Sequence, residues 1–151
     1  MAEPYRILVT GSRSWANRDL IRQCLAGIAR DHPGRSFLLL HGMCDPRLSA
    51  NGEPIPWGVA VRLAAEHQDV LTGADWIADR AARELGWQVR MHPADWAAFG
   101  GGAGPRRNAE MVAAGADECL AFPLPGSRGT LHCARLAEKA GIPTRRYEDN
   151  G

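Results

Sequence analysis

The chain of 151 residues has no excess of charge of either sign: 18 Lys and Arg stand against 17 Asp and Glu, a formal net charge of +1. Sequence-independent binding to nucleic acid draws on a strongly basic surface, so this balance argues against nucleic acid as the partner. No apolar run approaches the roughly 20 residues of a membrane-spanning helix. Met1 to Tyr5 has neither the basic nor the apolar region of a secretion signal, so a cytoplasmic protein with no membrane partner is expected. The four cysteines, Cys24, Cys44, Cys119 and Cys133, form no CxxC pair, which argues against both a disulfide framework and a zinc site. His41 with Cys44, and His132 with Cys133, fall short of a four-ligand pattern, so neither metal nor cofactor is expected. There is no internal repeat and no low-complexity tract.

What is present is an alternation of short apolar runs with helical stripes. The length suits one domain, and the 45% hydrophobic and 23% charged fractions are those of a globular chain. Tyr5 to Thr10 reads as a buried strand stopped by Gly11, and Leu20, Ile21, Cys24, Leu25, Ile28 and Ala29 form one face of a helix from Asn17 to Pro33-Gly34. Ser36 to Leu40 is a second buried strand. Asp45 to Val70 reads as an insertion with one helical piece at Val59 to His67, and Gly73 to Gly86 as a helix capped by Gly86. Trp87 to His92 is the third strand, and Pro93 to Gly104 a loop. Pro105 then opens a helix running to about Ala114. Glu118 to Phe122 is the fourth strand. Gly129-Thr130 opens a last helix with Leu131, Ala134, Ala137 and Ala140 inward, and Thr144 to Tyr147 is an edge strand. The expectation is a single α/β domain over residues 1–151, Rossmann-like and doubly wound, with a mainly parallel sheet of about five strands and helices on both faces.

The residues with chemistry follow the strands. Gly11-Ser12-Arg13 comes after the first, His41-Gly42 after the second, Asp95-Trp96 after the third and Ser127-Arg128-Gly129-Thr130 after the fourth. In an open parallel sheet those ends share one edge, where ligands bind. Gly11-Ser12-Arg13 is either a plain strand-to-helix turn or a turn offering backbone N–H groups and a guanidinium to an anion. Gly126 to Thr130 sets two glycines, two hydroxyls and an arginine before a helix N-terminus, which carries about half a positive charge, so phosphate is the natural guest. Arg106, Arg107 and Asn108 fall in the first turn of a helix, where basic groups oppose the dipole; a bound anion would remove the conflict, and one of the two arginines is expected to be structural. Asp75 suits either helix capping or ligand contact. Trp57, Trp76, Trp87 and Trp96 suit a core or a base stack, with Trp96, in a loop, the best placed for stacking.

The ordered set Gly-Ser-Arg, His-Gly, Gly-Ala-Asp with Ala78-Asp79, His92-Pro93-Ala94-Asp95-Trp96, Ala103-Gly104-Pro105-Arg106-Arg107-Asn108 and Ser127-Arg128-Gly129-Thr130 resembles a DUF2493-type member of the SLOG superfamily from Tyr5 to Arg146. That group is frequent in bacteriophages and actinobacteria. The resemblance implies a Rossmann-like fold, a pocket for nucleotides or nucleotide-derived small molecules, and pairing into a homodimer. The superfamily includes the LOG phosphoribohydrolases, which use a Pro-Gly-Gly-x-Gly-Thr loop followed by glutamates. Here Leu131, His132 and Cys133 follow Gly129-Thr130, so the matching carboxylate is missing and Asp95, Asp75 and Glu110 are the candidates to replace it.

Two functions follow as expectations. The first is a sensor or sequestering module whose phosphate is held by Arg13, Arg106, Ser127, Gly129 and Thr130. The second is a nucleoside-phosphate N-glycosidase with Asp95 in the general acid/base or charge-stabilising role. Single-stranded DNA binding is a third reading, weakened by the near-zero net charge.

Overall fold

Parallel strands buried on both faces read as continuous apolar runs, and the computed structural model, which describes residues 3–66 and 68–149, is built on two such runs. Strand β1 is Tyr5–Gly11, followed by α1 (Arg18–Asp31), β2 (Phe37–His41), β3 (Arg47–Leu48), α2 (Trp57–Ala65), β4 (Leu71–Thr72) and α3 (Ala74–Glu84). Then come β5 (Gln88–Met91), α4 (Trp96–Phe99), a 3-10 turn Gly100–Gly102, α5 (Ala103–Ala114), β6 (Glu118–Phe122), α6 (Arg128–Lys139) and β7 (Thr144–Arg146). Every residue of β2 and β6 is buried.

The main sheet has the order β5-β2-β1-β6-β7, with every pairing parallel. The chain steps outward from β1 through β2 to β5, then crosses back to lay β6 on the other side of β1. That reversal is the topological switch of a Rossmann-like domain, and a crevice opens there above the strand ends. Gly11 sits opposite Phe122, so β1 and β6 finish at the same level.

Side chains alternate between two cores. Ile7, Val9, Leu39, Leu120 and Phe122 meet Ile21, Leu25 and Ile28 of α1 and Ile77, Ala78 and Ala81 of α3 on one face. Leu8, Leu38, Leu40 and Cys119 meet Met111 of α5 and Cys133 and Ala137 of α6 on the other. Full burial of one Leu or Ile side chain contributes about 1.5–3 kcal/mol, so both faces hold the sheet strongly. Asn17 caps α1 by accepting from the Leu20 N–H at 3.2 Å.

Four expectations are corrected. The inward residues of α6 are Thr130, Cys133, Ala134 and Ala137; Leu131 is half-buried and Ala140 exposed, because the helix is rotated to bring Thr130 and Cys133 onto the sheet. The 45–70 stretch holds more than a helix: β3 pairs antiparallel with β4, Arg47 opposite Thr72 and Leu48 opposite Leu71. Two-residue strands carry no readable period. The helical piece starts at Trp57, and Ala60 and Ala64 pack with Leu71 and Trp76 in a third cluster; its expected end at His67 lies outside the described residues, as do Met1, Ala2, Asn150 and Gly151. Pro93–Gly104 is not a plain loop, since α4, the 3-10 turn and the start of α5 all fall in it. Among the described residues no helix is long and apolar enough to cross a membrane.

Candidate functional site

The turn after β1 is fastened to the start of α3. Ser12 donates its N–H to Phe122 O at 3.0 Å, and its own carbonyl accepts from Ala74 N at 3.1 Å, while Gly73 N donates to Trp15 O at 2.9 Å. A Cβ on Gly11 would overlap that of Ala74, so glycine is required for this close approach. The first turn of α3 is thereby held against the switch point.

Asp75 belongs to that first turn. It is 5% exposed, and its Oδ2 accepts from the Cys44 backbone N–H at 3.0 Å. Its Oδ1 is buried with no hydrogen-bond partner among the described residues. Burial pushes the Asp75 carboxyl above its ordinary value, against the pull of His41 and Arg107 and of the Cys44 and Gly42 amides. The loop that reaches over it is tense: Met43 has φ of 53°, a left-handed conformation unusual for a residue with a side chain. Its N–H donates to His41 Nδ1 at 3.1 Å. Burial and the Asp75 charge push the Cys44 thiol well above its ordinary value.

His41 and Asp79 form a wholly buried pair at 2.7 Å, and Arg83 Nε donates to the second Asp79 oxygen at 2.6 Å. Burial alone would raise the Asp79 carboxyl, but His41 and Arg83 outweigh it and hold it below its ordinary value. With Nδ1 already accepting, His41 presents Nε2–H to Asp79.

The opposite wall comes from α5 and α6. Because α5 starts at Ala103, Arg106, Arg107 and Asn108 lie in its second turn, and the buried stripe Gly104, Asn108, Met111 draws Arg107 inward. Arg107 Nη1 donates to Gly42 O and its Nε to Asn108 Oδ1 at 3.0 Å. A Cβ on Gly42 would come within 2.6 Å of Arg107 Nη1. Asn108 Nδ2 donates to Gly129 O at 3.3 Å and lies 3.2 Å from His132 Nδ1, joining the two helices. At the start of α6 no side chain caps the helix; the Ser127 hydroxyl accepts instead from Leu124 N at 3.2 Å. The first-turn N–H groups of such a helix have no acceptor within the helix.

These walls enclose a cleft of about 690 Å³ at the switch point. Of the residues expected at a site, Gly11, Ser12, Arg13, Gly42, Asp75, Trp96, Arg107, Asn108, Ser127, Arg128, Gly129 and Thr130 line it. Three do not. His41 is buried behind the wall in its pair with Asp79. Arg106 is exposed, its guanidinium 4.0 Å over the Phe99 ring. Asp95 is exposed and caps α4, accepting from Ala98 N at 3.0 Å, so its carboxyl is spent on a helix end. Glu110 is exposed on α5 away from the lining. Arg13 is in the cleft but ion-paired at 2.7 Å with Asp45.

The sequence reading assigns no ligand contact to Met43, Asp45 or His132, which also line the cleft, and ranks Trp96 ahead of Trp57, which lines it too. The i, i+3, i+4 stripe through Gly104, Arg107 and Asn108 could have separated Arg107 from Arg106. No local signal marks Asp45, whose place depends on the loop folding back to Arg13. Of the tryptophans, Trp76 is buried with Nε1 donating to Cys44 O at 2.8 Å, Trp87 is stacked on Phe37, and Trp57 and Trp96 are exposed at the cleft.

No family model matches the chain, and no solved structure does. The chain is similar to the gene 61 protein of Mycobacterium phage D29, with 42% identity over 149 residues that span 95% of this chain and 97% of that protein. It belongs to the family of that phage protein along nearly its whole length.

Proposed function

We propose that this member of the gene 61 family binds a nucleotide or a nucleotide-derived small molecule, as a sensor or sequestering module of the DUF2493 type within the SLOG superfamily. The observation that carries the reading is the meeting of two glycine turns, at Gly11 and at Gly126 to Gly129, with the uncapped start of α6 and three arginines, Arg13, Arg107 and Arg128, around one cleft. Amide donors at a helix start together with guanidinium groups suit a phosphate. Exposed Trp57 and Trp96 suit a base. The 45–70 segment is read as an addition to the core domain that walls the cleft through Trp57.

Calorimetry with a panel of nucleoside mono- and diphosphates tests this. Charge-assisted hydrogen bonds contribute about 1.5–3 kcal/mol each, so Arg107→Ala and Arg128→Ala should each weaken binding about tenfold or more. Arg106, expected on the ligand from the sequence, is the control: its place on Phe99 predicts unchanged affinity for Arg106→Ala. Failure of the wild-type protein to bind any member of the panel would end the proposal.

The second reading, N-glycosidic hydrolysis, is favoured by one observation, the buried Asp75 carboxyl in the cleft. In that reaction the C1′–N bond breaks with its electron pair passing to the base, a carboxylate stabilises the cationic sugar, and water adds to C1′, giving up a proton that ends on the released base. Asp75 replaces Asp95 in the role, since Asp95 lies outside the lining. Chromatography for released base across nucleoside monophosphates decides it; no free base leaves the binding module alone.

A further inference from the structure

Asp75 is a buried carboxyl that the fold satisfies on one oxygen only. Oδ2 has the Cys44 N–H and the Gly42 amide also pulls on the carboxyl, whereas Oδ1 is buried without a hydrogen-bond partner among the described residues and belongs to a group lining the cleft. An unmatched buried oxygen is costly, and its persistence at the wall of a cleft points to a partner that arrives with a ligand.

In dinucleotide-binding Rossmann domains the acid that accepts from the ribose stands at the end of the second strand. Here that place is taken by His41, wholly buried and turned to Asp79. The carboxyl in the cleft comes instead from α3, one residue after the Ala74 that abuts Gly11. It therefore lies close to the turn suited to phosphate, while the exposed aromatic surfaces, Trp57 and Trp96, belong to the rim. The sugar is the part of a nucleotide that spans those two regions.

We propose that Asp75 reads the sugar: its free Oδ1 hydrogen-bonds a ribose hydroxyl, so the cleft prefers ribonucleotides to their deoxy counterparts. This rests on the nucleotide reading above. A hydroxyl suits the position better than an amine. Burial raises the Asp75 pKa, and a hydroxyl serves either form of the carboxyl, donating to the ionised one and accepting from the protonated one, whereas an ammonium only donates. Arg107, whose charge acts on Asp75, offsets the repulsion between the carboxyl and a nearby phosphate.

The test is a calorimetric or NMR titration of the wild-type protein and of Asp75→Leu. The probes are AMP, GMP and CMP, their 2′-deoxy and 3′-deoxy counterparts, and inorganic pyrophosphate. The wild type should bind the ribose form of at least one base about tenfold or more tighter than one of its deoxy forms. In Asp75→Leu, whose side chain neither donates nor accepts, that preference should vanish while pyrophosphate is bound as tightly as by the wild type or more tightly, the repulsion of the carboxylate being gone. Equal affinity for ribose and deoxy forms in the wild type, a comparison that needs no variant, overturns the assignment of Asp75 and leaves the nucleotide reading standing. So does a ribose preference that survives in a folded Asp75→Leu, its folding checked by thermal melting. If the wild type binds none of the probes, both readings fall together.

Discussion

Two carboxylates one turn apart on α3 have opposite surroundings. Asp79 is 0% exposed and has His41 and Arg83 on its two oxygens, which hold its pKa down. Asp75 is 5% exposed with one oxygen unmatched, and burial holds its pKa up. Burial is nearly the same in both. What separates the framework carboxylate from the one proposed to meet a ligand is whether each oxygen has a partner in the fold, a difference that exposure alone does not reveal.

The largest expected effect comes from breaking the satisfied pair. Asp79→Ala strands a buried His41 and the Arg83 guanidinium, and removing one partner of a buried charged pair costs about 3–5 kcal/mol. Urea denaturation should show that loss at neutral pH, whereas Asp75→Asn should be as stable as the wild type or more so. Similar losses in both variants would erase the contrast.

Next comes Gly11→Ala, which presses the new methyl onto Ala74 and displaces the turn bearing Asp75 but not the one bearing Asp79. Overpacking of this kind costs about 1–3 kcal/mol. The variant should lose ligand affinity as well as stability; a loss of stability with affinity intact would separate Asp75 from the cleft.

The smallest effect is the one with the sharpest sign. A carboxyl whose folded pKa is lowered, as for Asp79, contributes stability that is present above the unfolded value and lost as pH falls through the folded value. For Asp75, raised in the fold, the folded state holds its proton more tightly, so its contribution is full below the ordinary value of 3.8 and lost as pH rises through the folded pKa. Asp75→Asn should therefore gain stability relative to the wild type as pH rises from 3.8 toward neutrality, with the relative gain shrinking in acid. Denaturation midpoints of the two proteins across that range measure it, and a pH-independent difference would contradict the direction of the shift.

The elements legible in the sequence are those whose signal is local and long. Glu118–Phe122 is a buried apolar run bounded by Pro123, and it forms the strand with those limits. Asn17 before a 14-residue amphipathic stripe marks the start of α1. Lost were the two-residue strands of the β3–β4 hairpin, too short to show a period, and the helical turn at Trp96–Phe99, whose Asp95 cap was read as a cleft carboxylate. In the cleft, the turns that bring Gly11, Ser12 and Thr130 together were readable because each follows a strand. The choice of Arg107 over Arg106 turned on a helix start two residues earlier than Pro105 suggested.

By itself, the amino-acid order determined that strands alternate with helices and that glycine, hydroxyl and guanidinium groups gather at strand ends, because apolar periodicity and turn chemistry act over a few residues. Which side chains meet was decided only in the tertiary structure. Arg107 reaches Gly42 across 65 residues, and His41 reaches Asp79 across 38. Such pairings depend on strand order and helix rotation, set by the packing of the whole domain, and they decide which carboxylate is tied into the framework on both oxygens and which keeps one oxygen unmatched.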